Sequence, residues 1–211
     1  MGNRFHEIAF TDLVKAHQQE HGSRRQYERM AQGGVTGGSL GVSEETFLSM
    51  RDSFYMASVS ETGWPYIQHR GGAAGFVKIL GADLIGFADL RGNKQYISLG
   101  NLEHDARVAL FFMDYPNQTR LKLLGRVEIH ENDSESATLI ERLRTADPKD
   151  LPERAILIHV DGFDWNCPQH ITPRYTVEEL QPALRPLQDR LAALEAENAE
   201  LRATIRAAAR P

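Results

Sequence analysis

Two short stretches place a cation beside glycine where an apolar run ends. His69-Arg70-Gly71-Gly72 closes one such run, and Gly92-Asn93-Lys94 follows another, Leu84 to Ala88. The second stretch reads as the mouth of a short helix, with Asn93 as its N-cap. Unpaired backbone N–H groups and the positive end of the helix dipole meet at such a mouth, which suits an anion, and Lys94 adds a mobile charge. Alone, the tripeptide is also the mark of an ordinary capped helix. Joined to Arg70 and its two glycines, it reads as one phosphate held from two sides, with Ser98 as a further donor. Arg120 and Lys122 share one face of a later strand by period-two spacing. They either line a cleft as a positive wall or belong to a solvated strand face.

Other chemistries find less support. Gly37-Gly38-Ser39-Leu40-Gly41 matches the G-x-S-x-G expression of serine hydrolases, but no apolar strand precedes it to strain the nucleophile. His159, Asp161, Asp164, Cys167 and His170 crowd together in HVDGFDWNCPQH without the spacing of a tight metal site, so no metal is expected. There is no Gly-x-Gly-x-x-Gly after a strand and no P-loop, so neither a Rossmann nor a Walker-type nucleotide site is supported.

The elements that must position these residues follow from pattern. His6 to Glu20 and Ser23 to Gln32 read as helices, Gly33 to Gly41 as a flexible connector or lid, and Ser43 as the start of another helix. FYMASVS, PYIQHR, GFVKIL, DLIGFAD, VALFFMD, TRLKLLGRVEIHE and AILIHVDGF then read as strands, with Gly125 suggesting a bulge in the long one. Asp133 to Arg144 reads as a helix. Many short strands with few helices between them predict a mainly β (α+β) chain built on an antiparallel barrel.

Net charge is −5 with a pI near 5.9, so the bulk balance offers nothing to nucleic acid, and any cationic site must be local. The single cysteine excludes an internal disulfide and fits a cytoplasmic protein. The first residues lack a signal pattern, and no apolar run reaches membrane-spanning length.

The last segment differs in kind. Leu180, Leu184, Leu187, Leu191, Leu194, Asn198, Leu201 and Ile205 are spaced alternately four and three apart, a heptad seam. Asn198 falls at an a position, the place where one buried amide fixes the register of a parallel pair. Arg190 and Glu197 at g would face Glu195 and Arg202 at e of a partner. The helix is expected to self-associate, with the regular coil starting near Pro186; the alternative is an amphipathic helix folded back on its own barrel. The expected organisation is 1–42 helices and connector, 43–176 barrel, and 177–211 coiled-coil helix.

From about Asp52 to Glu131 the chain resembles the pyridoxamine 5′-phosphate oxidase-like family of FMN-binding split barrels. The resemblance lies in RDSFYMASVSETGWPYIQHRGG, GFADLRGNKQYISLGNLEHDARVALFFMDYP and RLKLLGRVEI, with a FDWNCPQHITPRYT-like segment shared by an uncharacterised bacterial branch. It implies a six-stranded antiparallel split β-barrel that dimerises with FMN in clefts at the subunit interface. It assigns Arg70 and Lys78 as early cations, Asn93 and Lys94 to the phosphate, Phe87 and Ala88 along the flavin, and Arg120 to its ring. Lys122 would bias that ring electrostatically. Trp165, Gln169, His170 and Arg174 are expected on the substrate side, with His170 as proton donor. Asn93 stands where the family has arginine, Arg70 to Lys78 is longer and glycine-rich, and the family's C-terminal Arg-Leu-His is absent. The expected function is FMN-dependent hydride transfer to or from a small molecule. The alternatives are a non-catalytic flavin module or pyridoxamine phosphate oxidase itself, and related barrels take haem or a deazaflavin.

Overall fold

The computed structural model describes residues 4–32, 39–131, 134–145, 150–165 and 168–209. The connector residues 33–38, and Cys167, lie outside them. His6 to Glu20 is two helices rather than one, α1 (Phe5–Ala9) and α2 (Asp12–Glu20). They part at Thr11, whose hydroxyl accepts from the Val14 N–H and caps α2. After α3 (Arg24–Gln32), α4 (Val42–Ser49) begins one residue ahead of Ser43; the Glu44 carboxylate accepts from the Gly41 N–H at 2.9 Å.

Seven strands make one antiparallel sheet: β1 (Ser53–Val59), β2 (Pro65–Gly71), β3 (Lys78–Gly81), β4 (Leu84–Leu90), β5 (Arg107–Asp114), β6 (Thr119–His130) and β7 (Pro152–Trp165). Their order is β2-β1-β5-β6-β7-β4-β3. That is one strand more than the six expected, because each of the seven alternating runs finds a hydrogen-bonded neighbour, even four-residue β3. β1 and β4 stand four places apart in this order, about 19 Å in a flat sheet. Yet the Phe54 and Phe87 ring centroids are 5.4 Å apart. The sheet is therefore rolled, and Phe54, Phe76, Phe87 and Phe112 meet inside the roll with Met56, Leu110, Leu121, Leu123 and Ile158. Helix α5 (Ile97–His104) lies against β1, and α6 (Ser134–Leu143) covers β4 and β7.

β7 pairs on both sides, with β6 and with β4. It carries an extra residue against each. Asp161 is unopposed where Leu124 meets Gly162 and Gly125 meets Val160; Glu153 is unopposed where Asp89 meets Arg154 and Leu90 meets Pro152. The bulge expected in β6 at Gly125 is thus in β7, across from it. Glycine is required there for another reason: a Cβ would stand 2.5 Å from the His159 carbonyl oxygen.

The chain divides into two compact units, Met1–Asp114 with Gln118–His170, and Tyr115–Asn117 with Ile171–Pro211. The second holds α7 (Val177–Ala208), which starts with a reciprocal cap between Thr176 and Glu179. Pro182 and Pro186 lie inside the helix without ending it. No helix among the described residues is long and apolar enough to cross a membrane.

Gly125→Ala should cost about 2 kcal/mol, since backbone must move to admit the methyl group. Gly100→Ala, inside α5 with nothing near its Cβ, should be neutral or stabilise by roughly 0.5–1 kcal/mol. Urea midpoints of the two variants check the contrast.

Candidate functional site

Alternation along β2 turns Tyr66, Gln68 and Arg70 to one side, toward α5 and β4. With the loop from Gly92 to Tyr96 they line a small cleft, open to solvent, that also includes Asp89, Ser98, Glu153 and Arg154. Arg70 donates from Nη1 to Asp89 Oδ1 at 2.5 Å, and Arg154 Nη1 meets Asp89 Oδ2 at 2.8 Å. The Asp89 carboxylate, in a residue only 6% exposed, is thus gripped from β2 and from β7. Arg154 is further tied to Glu131 Oε2 at 2.8 Å and Glu153 Oε2 at 3.2 Å, and stands 5.6 Å from the Tyr96 ring. Burial alone would lower the Arg154 pKa; hydrogen bonds to Glu131 and Asp89 outweigh it and hold the guanidinium above the ordinary arginine value. Glu153 is held below the usual carboxylate range, chiefly by the hydrogen bond from Arg91.

Two donors are left over. Arg70 Nε is buried without a partner. Lys94 has no ion pair or side-chain hydrogen bond among the described residues. The backbone beneath Lys94 is unusual: Lys94 (φ 59°) and Tyr96 (φ 53°) are both left-handed, a conformation costing an L-residue about 1–2 kcal/mol. The strain thus falls on residues that are not glycine, while a Cβ on Gly92 would meet nothing within 4 Å.

The helix expected to open at Asn93 opens at Ile97 instead. Asn93 is not its cap; its Oδ1 accepts from the Gln95 N–H in a local turn, at 3.2 Å. Tyr96 occupies the cap position without a side-chain bond, so the carbonyl-to-N–H geometry is set by the left-handed residues. Gly72 has a packing reason as well: a Cβ there would come within 2.8 Å of the Phe76 ring.

Of the residues singled out in the sequence, Arg70, Asn93, Lys94 and Ser98 meet in this cleft. Ser98 is buried and already donates to Gln68 Oε1 at 2.5 Å. Lys78 lies elsewhere, donating to the Gly75 carbonyl at 2.7 Å. The Phe87 side chain belongs to the rolled core and Ala88 to a smaller cluster with Leu143, Ala155 and Leu157. Arg120 and Lys122 share a face as expected, opposite to buried Leu121 and Leu123. Arg120 lies 5.8 Å from the Phe111 ring centroid with its Nε buried and unpaired, while Lys122 pairs with Asp164 at 2.8 Å and lies 5.0 Å from the Phe5 ring centroid. Trp165 donates to Glu44 Oε1 at 2.6 Å and meets the Phe47 ring edge-on. Gln169 and His170 are exposed, His170 with φ 65°. Arg174 lies 4.9 Å from the Tyr115 ring centroid.

In the HVDGFDWNCPQH cluster the carboxylates and His159 are otherwise engaged: His159 with Glu128, Asp161 with Arg126, and Asp164 with Lys122. Among the described residues, the group of donors near enough to share a metal ion is His17, Glu20 and His21, all exposed at the C-terminal end of α2.

Sequence reasoning missed Gln68, Asp89 and Arg154. The β2 alternation carried the signal for Gln68. For Asp89 and Arg154 no local signal exists, because they meet only through the β4–β7 register.

Asp89→Asn keeps the side-chain shape and strips the charge that both guanidiniums share. It should lower stability by about 3 kcal/mol in urea unfolding, whereas Lys94→Ala at the exposed loop should stay within roughly 0.5 kcal/mol of the parent.

The sequence profile described as pyridoxamine 5′-phosphate oxidase matches residues 44–162, more than half of the chain. No curated protein matches. Solved structures similar to this one include HupZ-V5-His6 of Group A Streptococcus, at 13% identity and a TM-score of 0.49, covering 64% of this chain and 99% of that one. An FMN-binding protein from Syntrophomonas wolfei subsp. wolfei shows 11% identity and a TM-score of 0.42, with 71% and 97% covered.

Proposed function

The chain belongs to the pyridoxamine 5′-phosphate oxidase family, and from that premise we propose that its β2–β4 cleft binds the phosphate of FMN and that the protein is an FMN-dependent oxidoreductase. The observation that carries this reading is the pair of unused cationic donors at one cleft, buried Arg70 Nε and free Lys94. A buried donor without a partner is costly, and a phosphate oxygen is the acceptor that two such cations favour. Arg70 would give a fixed guanidinium contact, held in place by Asp89, while Lys94 would follow the phosphate from its strained loop. The chemistry a bound flavin supplies is hydride exchange at its N5 with a small molecule.

The other half of the proposal is a homodimer. On the outer face of the sheet, Ile67, Val59, Tyr55, Phe111 and Met113 come together by register across β2, β1 and β5. Ile67 is 64% exposed. Such a face is suited to a second copy. Arg120 and Lys122 extend it on β6, so in a dimer they would approach the partner's flavin rather than their own.

A non-catalytic flavin carrier is the second reading, supported by the exposed seam of the long helix α7, which suits a partner or oligomer role. Steady turnover with a reductant and an acceptor would separate the two.

Protein purified without added cofactor should show a flavin spectrum or acquire one with FMN. Lys94→Ala should weaken FMN binding at least tenfold, the loss of one charge-assisted contact, and leave riboflavin affinity unchanged. Equal loss for both ligands, or none for either, would remove the phosphate from this cleft.

A further inference from the structure

We propose that α7 pairs with the α7 of a second copy as a parallel, in-register, two-stranded coiled coil. The helix is unbroken over 32 residues and buries none of them. Leu184, Leu191, Asn198 and Ile205 occupy a positions, and Leu180, Leu187, Leu194 and Leu201 occupy d. The seven apolar members of this seam are between 39% and 68% exposed. A single stripe of that length is the surface a partner helix covers.

The structure adds a point that spacing alone left open. Because α7 runs through both prolines, the seam reaches back to Leu180, close to the capped start at Thr176. Pro182 then falls at f and Pro186 at c, both on the side away from the seam. Their missing N–H groups and ring bulk therefore face water and do not disturb the contact between helices.

Charge fits a second copy as the occupant, and Asn198 chooses its direction. In a parallel pair, Arg190 at g meets Glu195 at e of the second copy, and Glu197 at g meets Arg202 at e, so all four cross-pairs attract. In register, Asn198 meets Asn198 and the two amides satisfy each other. A shift of one heptad sets one amide against Leu191 and the other against Ile205, each a buried polar group left unpaired. The axis of such a pair is a two-fold along the coil, so the assembly closes at two chains. This proposal stands whether or not the protein binds a flavin.

The test uses the full chain carrying Cys167→Ser. Leu194→Cys, and separately Leu201→Cys, should form an interchain disulfide nearly completely under mild oxidation, while Ala196→Cys on the outer face should not. Leu187→Cys mixed with Leu201→Cys should give no mixed product. Asn198→Leu should keep the helix but spread the assembly beyond two chains by light scattering. A mixed 187–201 product would overturn the parallel direction. Failure of both seam cysteines to crosslink would overturn the pairing itself.

Discussion

Asp89 is a carboxylate that the fold has taken out of water and then surrounded. Arg70 reaches it from the sheet edge at β2, Arg154 from β7. In the strand order β2 and β4 lie almost at opposite ends, so this clasp, with the Phe54–Phe87 contact beneath it, joins the two margins of the rolled sheet. Hydrophobic packing draws the two margins together, and the clasp adds the directional, charge-assisted contact that apolar packing does not supply. A doubly gripped carboxylate does not slide: moving either guanidinium leaves a buried charge unmatched. The clasp therefore fixes where Arg70 stands, and with it the wall of the cleft.

The same arrangement explains the cleft's electrical character. Its lining holds three cations, Arg70, Lys94 and Arg154, against two carboxylates, Asp89 and Glu153. Arg154 spends its donors on Asp89, Glu131 and Glu153. The surplus is thus concentrated on Lys94 and on the unshared side of Arg70. A protein of net negative charge keeps a small positive locus by neutralising the other cations around it, not by gathering more of them.

How much of this could be read in advance depends on the range of the interaction. The seven strands and the seam spacing of α7 are local patterns, and they were legible; the caps at Thr11 and Thr176 are local too but were not read, and the first of them divides what read as one helix. Arg70 and Lys94 were legible too, as cations beside chain breakers. The reasons assigned to their neighbours were not. Gly72 makes room for Phe76, Asn93 closes a turn instead of a helix, and the left-handed backbone falls on Lys94 and Tyr96. Arg154 pairs with a residue 65 positions away, and β-strand register is not written in either strand alone. Trp165 shows the same limit: it was expected on the substrate side, and nothing local to it announces the bond its indole N–H makes to Glu44 on α4.

The unopposed residues of β7 bear on how this chain can change length. Strand faces alternate at every residue, so an added or lost residue inverts all that follows. At Asp161 the strand already holds such an insertion, stabilised by Arg126 and by the Arg4 N–H, which bonds the Asp161 carbonyl. Deleting Asp161 would leave Lys122 opposite Asp164 and Leu121 opposite Trp165, at the cost of the bonds to Arg126 and Arg4, whereas deleting a paired residue such as Phe163 would turn Trp165 and Asp164 to the other face. At the paired positions of this strand, loss of a single codon is a larger event than most substitutions. Tolerance of deletions should be confined to its unopposed residues and to the loops at its ends.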